Sequence, residues 1–307
     1  MLDRFEEFAT ILSNKIIAAI ESGNKLPWVK PWNAACLKSY NMVSGHEFTG
    51  LNSLVMMLAP FSDPRWATFD QWKNKNFSIK KGEKGTYLFK PNFKTSCCGA
   101  FMTPATNFCS KCSKRVREDN GSIVSGAVKL AGFSSYAVFN AEQLKESLPP
   151  LNDFPEVTPT QQIQQILKDC KEVIPSISIG NSDKACYLPL EDKIMLPAIN
   201  TFSSQEAFAS TLLHEVVHST GSKSRLNRKG ITNFSGFGSD SYAYEELVAE
   251  IGAAICCHHY GIQKEEVDTN HIAYVQSWVK ILNNNKQIIK DAMFEAIKAG
   301  KYIFGEG

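Results

Sequence analysis

The feature that most restricts this chain is the pentapeptide His214-Glu-Val-Val-His218. Residues four apart lie on one face of an α-helix, so this spacing brings two imidazoles within reach of a single Zn²⁺. Glu215 then lies beside the cation rather than on it. The pattern Ser203–Glu206 is typical of a helix start and Thr220-Gly221 of a helix end, which predicts the pentapeptide in the last turns of a well-delimited helix.

A catalytic zinc site needs a third protein ligand and an open position for water. The next predicted helix, at about residues 242–260, offers Glu246 and Glu250, which are one turn apart and share a face. We predict Glu246 as the third metal ligand and Glu250 as the acceptor of an imidazole N–H. On sequence grounds the two roles are exchangeable, and Glu245 is a third candidate ligand. The alternative interpretation is that these glutamates form a solvated face of the helix and bind no metal.

This set of residues predicts a chemistry. Zn²⁺ lowers the pKa of water to about 7, and Glu215 is then able to take a proton from water that attacks a polarised carbonyl. The predicted reaction is amide hydrolysis by a zinc metallopeptidase. Residues 185–196 are predicted to form a hairpin whose edge strand pairs with an extended peptide substrate; the identity of that substrate is unknown.

Charge is divided unevenly along the chain. Residues 1–133 hold 18 Lys and Arg against 10 Asp and Glu, a net charge of +8, and the remainder has −6. A basic half favours binding to a polyanion. Within it, residues 69–94 alternate aromatic residues with lysines, a combination that binds single-stranded nucleic acid. The alternative is that most of these aromatic residues lie in the core and that the lysines belong to a solvated hairpin. The predicted DNA contacts are Trp72, Lys73, Lys80, Lys81 and Lys84.

Four cysteines in the basic half form a second candidate metal site. Cys109 and Cys112 have the spacing of a zinc knuckle, and Cys97 with Cys98 would complete a structural site of four thiolates. Adjacent cysteines are an awkward pair of ligands, because two residues normally separate them, so free thiols are the alternative. Nine cysteines without a secretion signal do not indicate a disulfide framework.

Prolines indicate how the chain is organised. Four of them lie within residues 148–160, which predicts a first domain at 1–148, a linker at 149–160 and a second domain at 161–307. Both parts mix helix and strand, so the predicted class is α+β. No apolar stretch approaches the ~18 residues of a membrane span, and residues 1–20 are typical of an amphipathic helix rather than a signal peptide, so we expect a cytoplasmic protein.

Several motifs, taken together, resemble a known family. They are Phe48–Asn52, Trp66–Trp72, Lys80–Lys84, Asn140–Gln143, Leu196-Pro197, residues 214–221, Ser224–Arg228 and Glu245–Ala254. Their order resembles that in the ArdC-type antirestriction proteins, whose N-terminal domain is also found at the front of plasmid TraC-type primases. The resemblance extends over nearly the whole chain.

The resemblance implies an N-terminal domain that binds single-stranded DNA and a C-terminal zincin-like domain of the gluzincin kind. Such proteins of plasmids and phages protect incoming DNA from host restriction. The resemblance also implies His214, His218 and a Glu within 245–250 as zinc ligands, with Glu215 as the base. The cysteine-containing segment, about 94–130, departs from the family's pattern as an insertion. The alternative function is a protein that coats single-stranded DNA and whose zinc domain is structural or inactive.

Overall fold

The structure is a computed structural model that describes residues 4–22, 38–102, 106–118, 123–124, 126–149, 151, 159–171, 173, 176–233, 240–262, 278, 282 and 287–305. The chain divides into two compact units. The first unit comprises Met1–Lys84 and Phe139–Gly307, and the second comprises Gly85–Val138. Helices and strands are mixed, which confirms the predicted α+β class.

Helices dominate the first unit. They are α1 (Arg4–Glu21), α2 (Leu51–Leu58), α3 (Phe69–Asn74), α4 (Pro159–Lys171), α5 (Gln205–Thr220), α6 (Lys229–Thr232), α7 (Asp240–Tyr260) and α8 (Gln287–Ile303). Helices α5, α7 and α8 pack against one another. Helices α5 and α7 are buried on nearly all sides. Apolar and small residues are found on every face of both helices, as expected for helices at the centre of a core. No described helix has the length and apolar character needed to cross a membrane.

Helix α5 begins one residue later than the sequence pattern suggested. Ser204, not Ser203, is the N-cap, and its hydroxyl accepts a hydrogen bond from the backbone N–H of Ala207 at 2.9 Å. The helix ends at Gly221, whose N–H donates to the carbonyl oxygen of His218. Residues 208–220 are all buried, so both histidines of the pentapeptide lie inside the molecule.

A small sheet lies beside α5. Its strands are β5 (Ile177–Ile179), β6 (Cys186–Leu188) and β7 (Lys193–Leu196), in the order β5-β7-β6. The first pair is parallel, and β6 and β7 form the predicted antiparallel hairpin, with Tyr187 opposite Ile194. Among the described residues, β6 pairs with β7 alone and is therefore an edge strand.

The second unit is built on a long antiparallel ribbon. Strand β3 (Thr86–Thr95) pairs with β4 (Val128–Asn140), with a register irregularity at Asn92 and Phe93. The sequence patterns near residues 85–90 and 135–139 predict strands, and both observed strands are longer than these segments. Between them lies a small buried cluster of Ala100, Cys109 and Val116.

Two more strands belong to the first unit. They are β1 (Tyr40–Asn41) and β2 (Arg65–Ala67), and they pair in parallel. The last two residues of β4, which also belong to this unit, pair with β2 in antiparallel fashion.

Helices from both ends of the chain share the first unit. α1 packs against α8, and α2 packs against α7. The buried side chains of α1 include Leu12 and Ile16. Residues 152–158 of the predicted linker lie outside the described residues, so the predicted division of the chain at 149–160 stays a prediction.

Candidate metal centre

Three buried side chains converge at the junction of α5 and α7. The Nε2 atoms of His214 and His218 are 3.1 Å apart. The carboxylate of Glu246 is 3.4 Å from each of them, through Oε2 to His214 and Oε1 to His218. The three ligand-type atoms lie within 4.8 Å of one another. We call these residues, together with Glu215, the metal centre.

The other nitrogen of each imidazole faces a different glutamate of α7. His218 Nδ1 is 3.4 Å from Glu245 Oε1, and His214 Nδ1 is 3.6 Å from Glu250 Oε1. Glu250 therefore lies where the sequence predicted a supporting carboxylate. Glu245 lies on the Nδ1 side of His218 and not among the three converging groups, so its position is that of a second supporting carboxylate.

Arg228 is a member of this region that the sequence analysis did not assign. Its Nη2 donates to Glu245 Oε1 at 2.6 Å, its Nη1 donates to Thr220 Oγ1 at 2.7 Å, and Nη2 also reaches the carbonyl oxygen of Val217 at 2.7 Å. This side chain therefore links the end of α5 to Glu245. The motif Ser224–Arg228 was the available signal, but nothing in its spacing indicates which carboxylate it meets.

Charge at the centre favours a cation. Among the described residues, the buried glutamates here are Glu215, Glu245, Glu246 and Glu250, whereas Arg228 is the permanent cation buried with them. Burial alone would lower the pKa of His218, but Glu246 and Glu245 raise it well above its usual value. Burial would likewise raise the pKa of Glu246, but His218 and His214 lower it well below its usual range. The surroundings thus stabilise positive charge between these side chains.

Within the metal centre, Glu215 lies between the two histidines and strand β6. Its carboxyl group is buried, and burial raises its pKa, although the neighbouring His214 and His218 oppose that shift. A backbone hydrogen bond from Tyr187 of β6 also reaches it. Glu215 is therefore next to the edge strand as well as next to the histidines.

The β6–β7 hairpin is tied to the end of α5. Arg225 donates from Nε to the carbonyl oxygen of Ser219 at 2.7 Å and from Nη1 to Asp192 Oδ2 at 3.0 Å. The hydroxyl of Tyr187 donates to Asp192 Oδ1 at 2.6 Å. These bonds connect the β6–β7 hairpin to the end of α5, next to Glu215.

In the second unit, the four candidate cysteines also come together. The sulfur atoms of Cys97, Cys98, Cys109 and Cys112 lie within 4.8 Å of one another, and Cys109 is the buried member. We call this group the thiol cluster.

The predicted DNA contacts fall into two groups. Lys73, Lys80, Lys81 and Lys84 are exposed. Trp72 is fully buried, its indole N–H donates to the carbonyl oxygen of Phe139 at 2.9 Å, and its ring packs edge-on against Phe77. Trp72 therefore has no face on which a base could stack, and its prediction as a DNA contact is corrected to a core position.

Phe69, near Lys73, is an exposed aromatic residue that was not among the predicted DNA contacts. Its side chain is 53% exposed and lies four residues before Lys73, on the same face of α3. The signal was present: Thr68 and Gln71 form a capping box that starts the helix at Phe69, and this start determines which aromatic side chain faces solvent.

A buried glutamine shapes the exposed lysine segment, residues 80–84, which we call the basic turn. The backbone carbonyl oxygen of Gln143 accepts a hydrogen bond from the backbone N–H of Lys80 at 2.9 Å. Its side-chain amide donates to the backbone carbonyl oxygen of Lys84 at 3.0 Å. The ammonium of Lys80 donates to the carbonyl oxygen of Glu142 at 2.8 Å. Two motifs some 60 residues apart in sequence thus form one local structure.

Two family models match the chain. The model described as the N-terminal domain of anti-restriction factor ArdC matches residues 6–139, and that of a zincin-like metallopeptidase matches residues 161–295. DNA primase TraC of Escherichia coli is 32% identical over 95% of this chain. The chain spans about a quarter of that relative, 26% of its length.

Solved structures agree with these matches. The metal-free crystal structure of the antirestriction ArdC protein from the R388 plasmid has a TM-score of 0.66 and 29% identity, over 99% of this chain and 97% of that one. The Mn(II)-bound structure of the same protein has a TM-score of 0.65 and 27% identity, over 97% of each chain. With an ArdC N-terminal domain followed by a zincin-like domain, this chain belongs to the family of ArdC-type antirestriction proteins.

Proposed function

We propose that this protein is a zinc-dependent peptidase that also binds single-stranded DNA and acts in antirestriction. The observation that carries the proposal is the convergence of His214, His218 and Glu246, with Glu215 on the same helix as the histidines. Two imidazoles and one carboxylate are the protein ligands of zinc in a large group of peptidases. The R388 protein, whose structure is similar, has a Mn(II)-bound form, which supports a divalent cation in this fold.

The residues present fit a divalent cation because they combine the right donor types with an excess of buried negative charge. His214, His218 and Glu246 would hold it, while Glu245 and Glu250 orient the rings through their Nδ1 sides. A bound Zn²⁺ would supply a Lewis acid that polarises a peptide carbonyl and makes water more acidic.

Glu215 performs the proton transfers in this proposal. Its carboxylate accepts a proton from the attacking water and passes it to the leaving nitrogen, so the peptide bond is broken and the proton returns to the product amine. Burial raises the pKa of Glu215, which brings the group closer to the range in which it both accepts and donates protons.

Strand β6 is the proposed substrate-binding edge. It pairs with β7 on one side, and a backbone hydrogen bond from Tyr187 connects it to Glu215. An extended peptide that adds to this edge would bind by main-chain hydrogen bonds, independently of most side chains. Its scissile bond would then lie near Glu215.

The proposed DNA contacts lie in the first unit on α3 and the basic turn. Phe69 offers an exposed ring, and Lys73, Lys81 and Lys84 offer exposed ammonium groups. Aromatic rings stack on bases and lysines bind phosphates in proteins that hold single strands without reading their sequence. The match to TraC, a DNA primase, supports an interaction with DNA for this region.

Replacement of Glu215 tests the peptidase. With zinc-loaded full-length protein and fluorescently labelled casein, Glu215→Gln should reduce hydrolysis at least ~100-fold, because the variant cannot accept a proton. Zinc content should be unchanged, since Glu215 is not a ligand. Glu206→Gln, in the first turn of the same helix, is the matched control and should retain full activity. Equal hydrolysis by Glu215→Gln and the unaltered protein would overturn the mechanism.

A charge-matched pair of triple variants tests DNA binding. Combined Lys73→Ala, Lys81→Ala and Lys84→Ala should reduce the slope of log affinity against log salt concentration by about 2 for single-stranded DNA, because three phosphate contacts are lost. Lys184→Ala, Lys223→Ala and Lys301→Ala remove the same charge from exposed sites in the C-terminal half and should leave the slope unchanged. Equal slopes for both variants would exclude this surface.

Antirestriction itself distinguishes the proposal from a protein that only coats DNA. In cells that restrict incoming DNA, a plasmid should no longer be protected when the Glu215→Gln variant replaces the unaltered protein. That variant should still bind single-stranded DNA. Full protection by Glu215→Gln, with loss of protection by the lysine triple variant, would show that coating is sufficient.

A further inference from the structure

The thiol cluster lies in two tight turns of the second unit. The first turn contains Cys97 and Cys98, and the second begins at Cys109 and contains Cys112. The sulfur atoms of Cys97 and Cys112 are 3.4 Å apart, well beyond the roughly 2.05 Å of a disulfide bond. Four sulfur atoms within 4.8 Å of one another match the separations around one tetrahedral ion, whose metal–sulfur bonds are about 2.3 Å.

The two turns repeat the same backbone hydrogen bonds. In the first, the N–H of Gly99 donates to the carbonyl oxygen of Thr95 and the N–H of Thr95 donates to that of Ala100, at 2.9 and 2.8 Å. In the second, Ser113 donates to Cys109 and Cys109 donates to Lys114, at 2.8 and 2.7 Å. In each turn the fifth residue has a positive φ, 63° at Gly99 and 56° at Ser113.

This repeat explains the unusual adjacent cysteines. The fourth residue of each turn is a cysteine, Cys98 in the first and Cys112 in the second. The first residue of the second turn is Cys109, whereas the equivalent residue of the first turn is Thr95, whose hydroxyl lies 3.4 Å from the Cys109 sulfur. Threonine has no thiol, so the first turn lacks a sulfur at the position equivalent to Cys109. Cys97, two residues after Thr95, supplies the fourth sulfur atom of the cluster instead.

Backbone groups of the second turn also point at sulfur. The N–H groups of Lys111 and Cys112 hydrogen-bond to Cys109. Such bonds stabilise a thiolate, the form of cysteine that binds metal. Lys111 and Lys114 place positive charge in the same turn, which offsets the negative charge of a four-thiolate site.

Among the described residues of the segment between β3 and β4, the buried apolar cluster is small. The buried cluster between β3 and β4 consists of Ala100, Cys109 and Val116, with Met102, Ala127 and Val128 packed against it. A core of this size is too small to order some 30 residues, and small segments of this kind commonly depend on a metal. We propose that Cys97, Cys98, Cys109 and Cys112 bind one structural Zn²⁺ that orders the segment between β3 and β4.

The proposed ion differs in kind from one at the metal centre. Four protein thiolates close the coordination sphere and leave no position for water, so this zinc has a structural role and no catalytic one. Soft thiolate ligands in a tetrahedral arrangement select zinc over Mg²⁺, Ca²⁺ or Mn²⁺. The proposal does not depend on peptidase activity.

Zinc content of the full-length protein tests the site. The double variant Cys98→Ala, Cys112→Ala should hold about one zinc ion per chain fewer than the unaltered protein, whatever the occupancy of the metal centre. Cys170→Ala, which alters a cysteine of α4 outside the cluster, should hold the same amount as the unaltered protein. Equal zinc in all three proteins would overturn the proposal.

Two further measurements remain decisive if the double variant does not fold. The unaltered protein reloaded with Co²⁺ should show intense thiolate-to-metal charge-transfer absorption, which imidazole and carboxylate ligands do not produce; its absence would refute a four-thiolate site. The paired change Thr95→Cys, Cys97→Ser moves one sulfur to the position equivalent to Cys109 and should keep the zinc that Cys97→Ser alone loses. Loss of zinc from both would contradict the equivalence of the two turns.

Discussion

Neighbouring glutamates on α7 have different roles around the histidine pair. Glu246 is 3.4 Å from both Nε2 atoms, whereas Glu245 lies at Nδ1 of His218 and is bound by Arg228. One residue step along a helix turns the side chain by about 100°. That rotation separates the proposed metal ligand from a group that orients a ligand.

Metal affinity should distinguish these two residues. Glu246→Gln should weaken Zn²⁺ binding more than ~100-fold because a charged ligand becomes neutral, and Glu245→Gln should weaken it about 10-fold because only the orientation of His218 is affected. Competition titration against a chromophoric chelator measures both values. Glu206→Gln again serves as the control, and equal losses for Glu245→Gln and Glu246→Gln would contradict the division of roles.

Some of these residues could be predicted from sequence because their relation is local. His214 and His218 share a helix face by spacing alone, and Glu215 follows from them. The choice among Glu245, Glu246 and Glu250 depends on how α7 is rotated where it packs against α5, and no local pattern encodes that rotation. Trp72 shows the same limit, because the phase of α3 directs its side chain into the core.

The metal centre depends on a close approach of two helices. A Cβ atom added at Gly252 of α7 would lie 2.8 and 2.9 Å from the two methyl groups of Val217 on α5. Real Cβ atoms are not found at such distances, so the glycine is required by packing. Gly252 follows Glu250 by two residues, so this close contact lies next to the glutamates of α7 that approach His214 and His218.

Replacement of Gly252 should therefore destabilise the protein, contrary to the usual effect of alanine in a helix. Gly252→Ala should lower the free energy of unfolding by about 1–3 kcal/mol, as expected for an overfilled core. Gly300→Ala in α8, where the nearest atoms are at 3.5 Å, should raise it by up to about 1 kcal/mol. Urea unfolding measures both, and Val217→Ala should relieve the effect of Gly252→Ala. A stabilised Gly252→Ala protein would disprove the contact.

The β6–β7 hairpin should respond to acid through Asp192. Burial opposes the shift, but hydrogen bonds from Arg225 and Tyr187 lower the pKa of Asp192 below its ordinary 3.8. A carboxyl group whose pKa is lower in the folded state stabilises the protein above its unfolded pKa, and this stability is lost as pH falls through the folded value. The unaltered protein should therefore lose more stability below about pH 4 than Asp192→Asn.

Thermal unfolding at several pH values measures this difference. Asn tolerates the positive φ of 49° at this position, so the variant removes the charge without adding backbone strain. Glu191→Gln, one residue earlier and exposed, is the control and should follow the unaltered protein. Parallel pH profiles for Asp192→Asn and the unaltered protein would rule out this contribution.

At the level of elements, strongly patterned segments were predictable and unpatterned ones were not. The predicted helix that carries the pentapeptide and the predicted hairpin at 185–196 correspond to the observed α5, β6 and β7. Strand β4 begins well before the predicted segment 135–139, because Gly132 and Ser134 interrupt the apolar pattern of its first half. Its pairing with β3 supplies the order that its own composition does not.

For the molecule as a whole, the first unit brings together distant parts of the chain. α1 lies in the basic half by sequence, yet it packs against α8 in the acidic half, and α2 packs against α7. The charge of the chain changes sign near residue 133 and the prolines indicated a division at 149–160, because composition is a local property. Contacts between the two ends of the chain leave no signal in composition.

A single apolar side chain of α1 should therefore affect the half that carries the metal centre. Leu12 is fully buried, and Leu12→Ala should lower the free energy of unfolding by about 2–5 kcal/mol. Hydrogen exchange should then be faster in α8 as well as in α1. Ile11→Ala, whose side chain is 48% exposed, is the neighbouring control and should change stability by less than about 0.5 kcal/mol. Unchanged exchange in α8 would show that the two helices unfold independently.

The packing of α1 and α8 has a consequence for synthesis. On the ribosome, α1 is synthesised long before α8, the helix against which it packs, because more than 260 residues separate the two in sequence. Helices α5 and α7 also lack the support of α8 until α8 is made. The cation site proposed between them would therefore reach its final packing only after α8 has been synthesised.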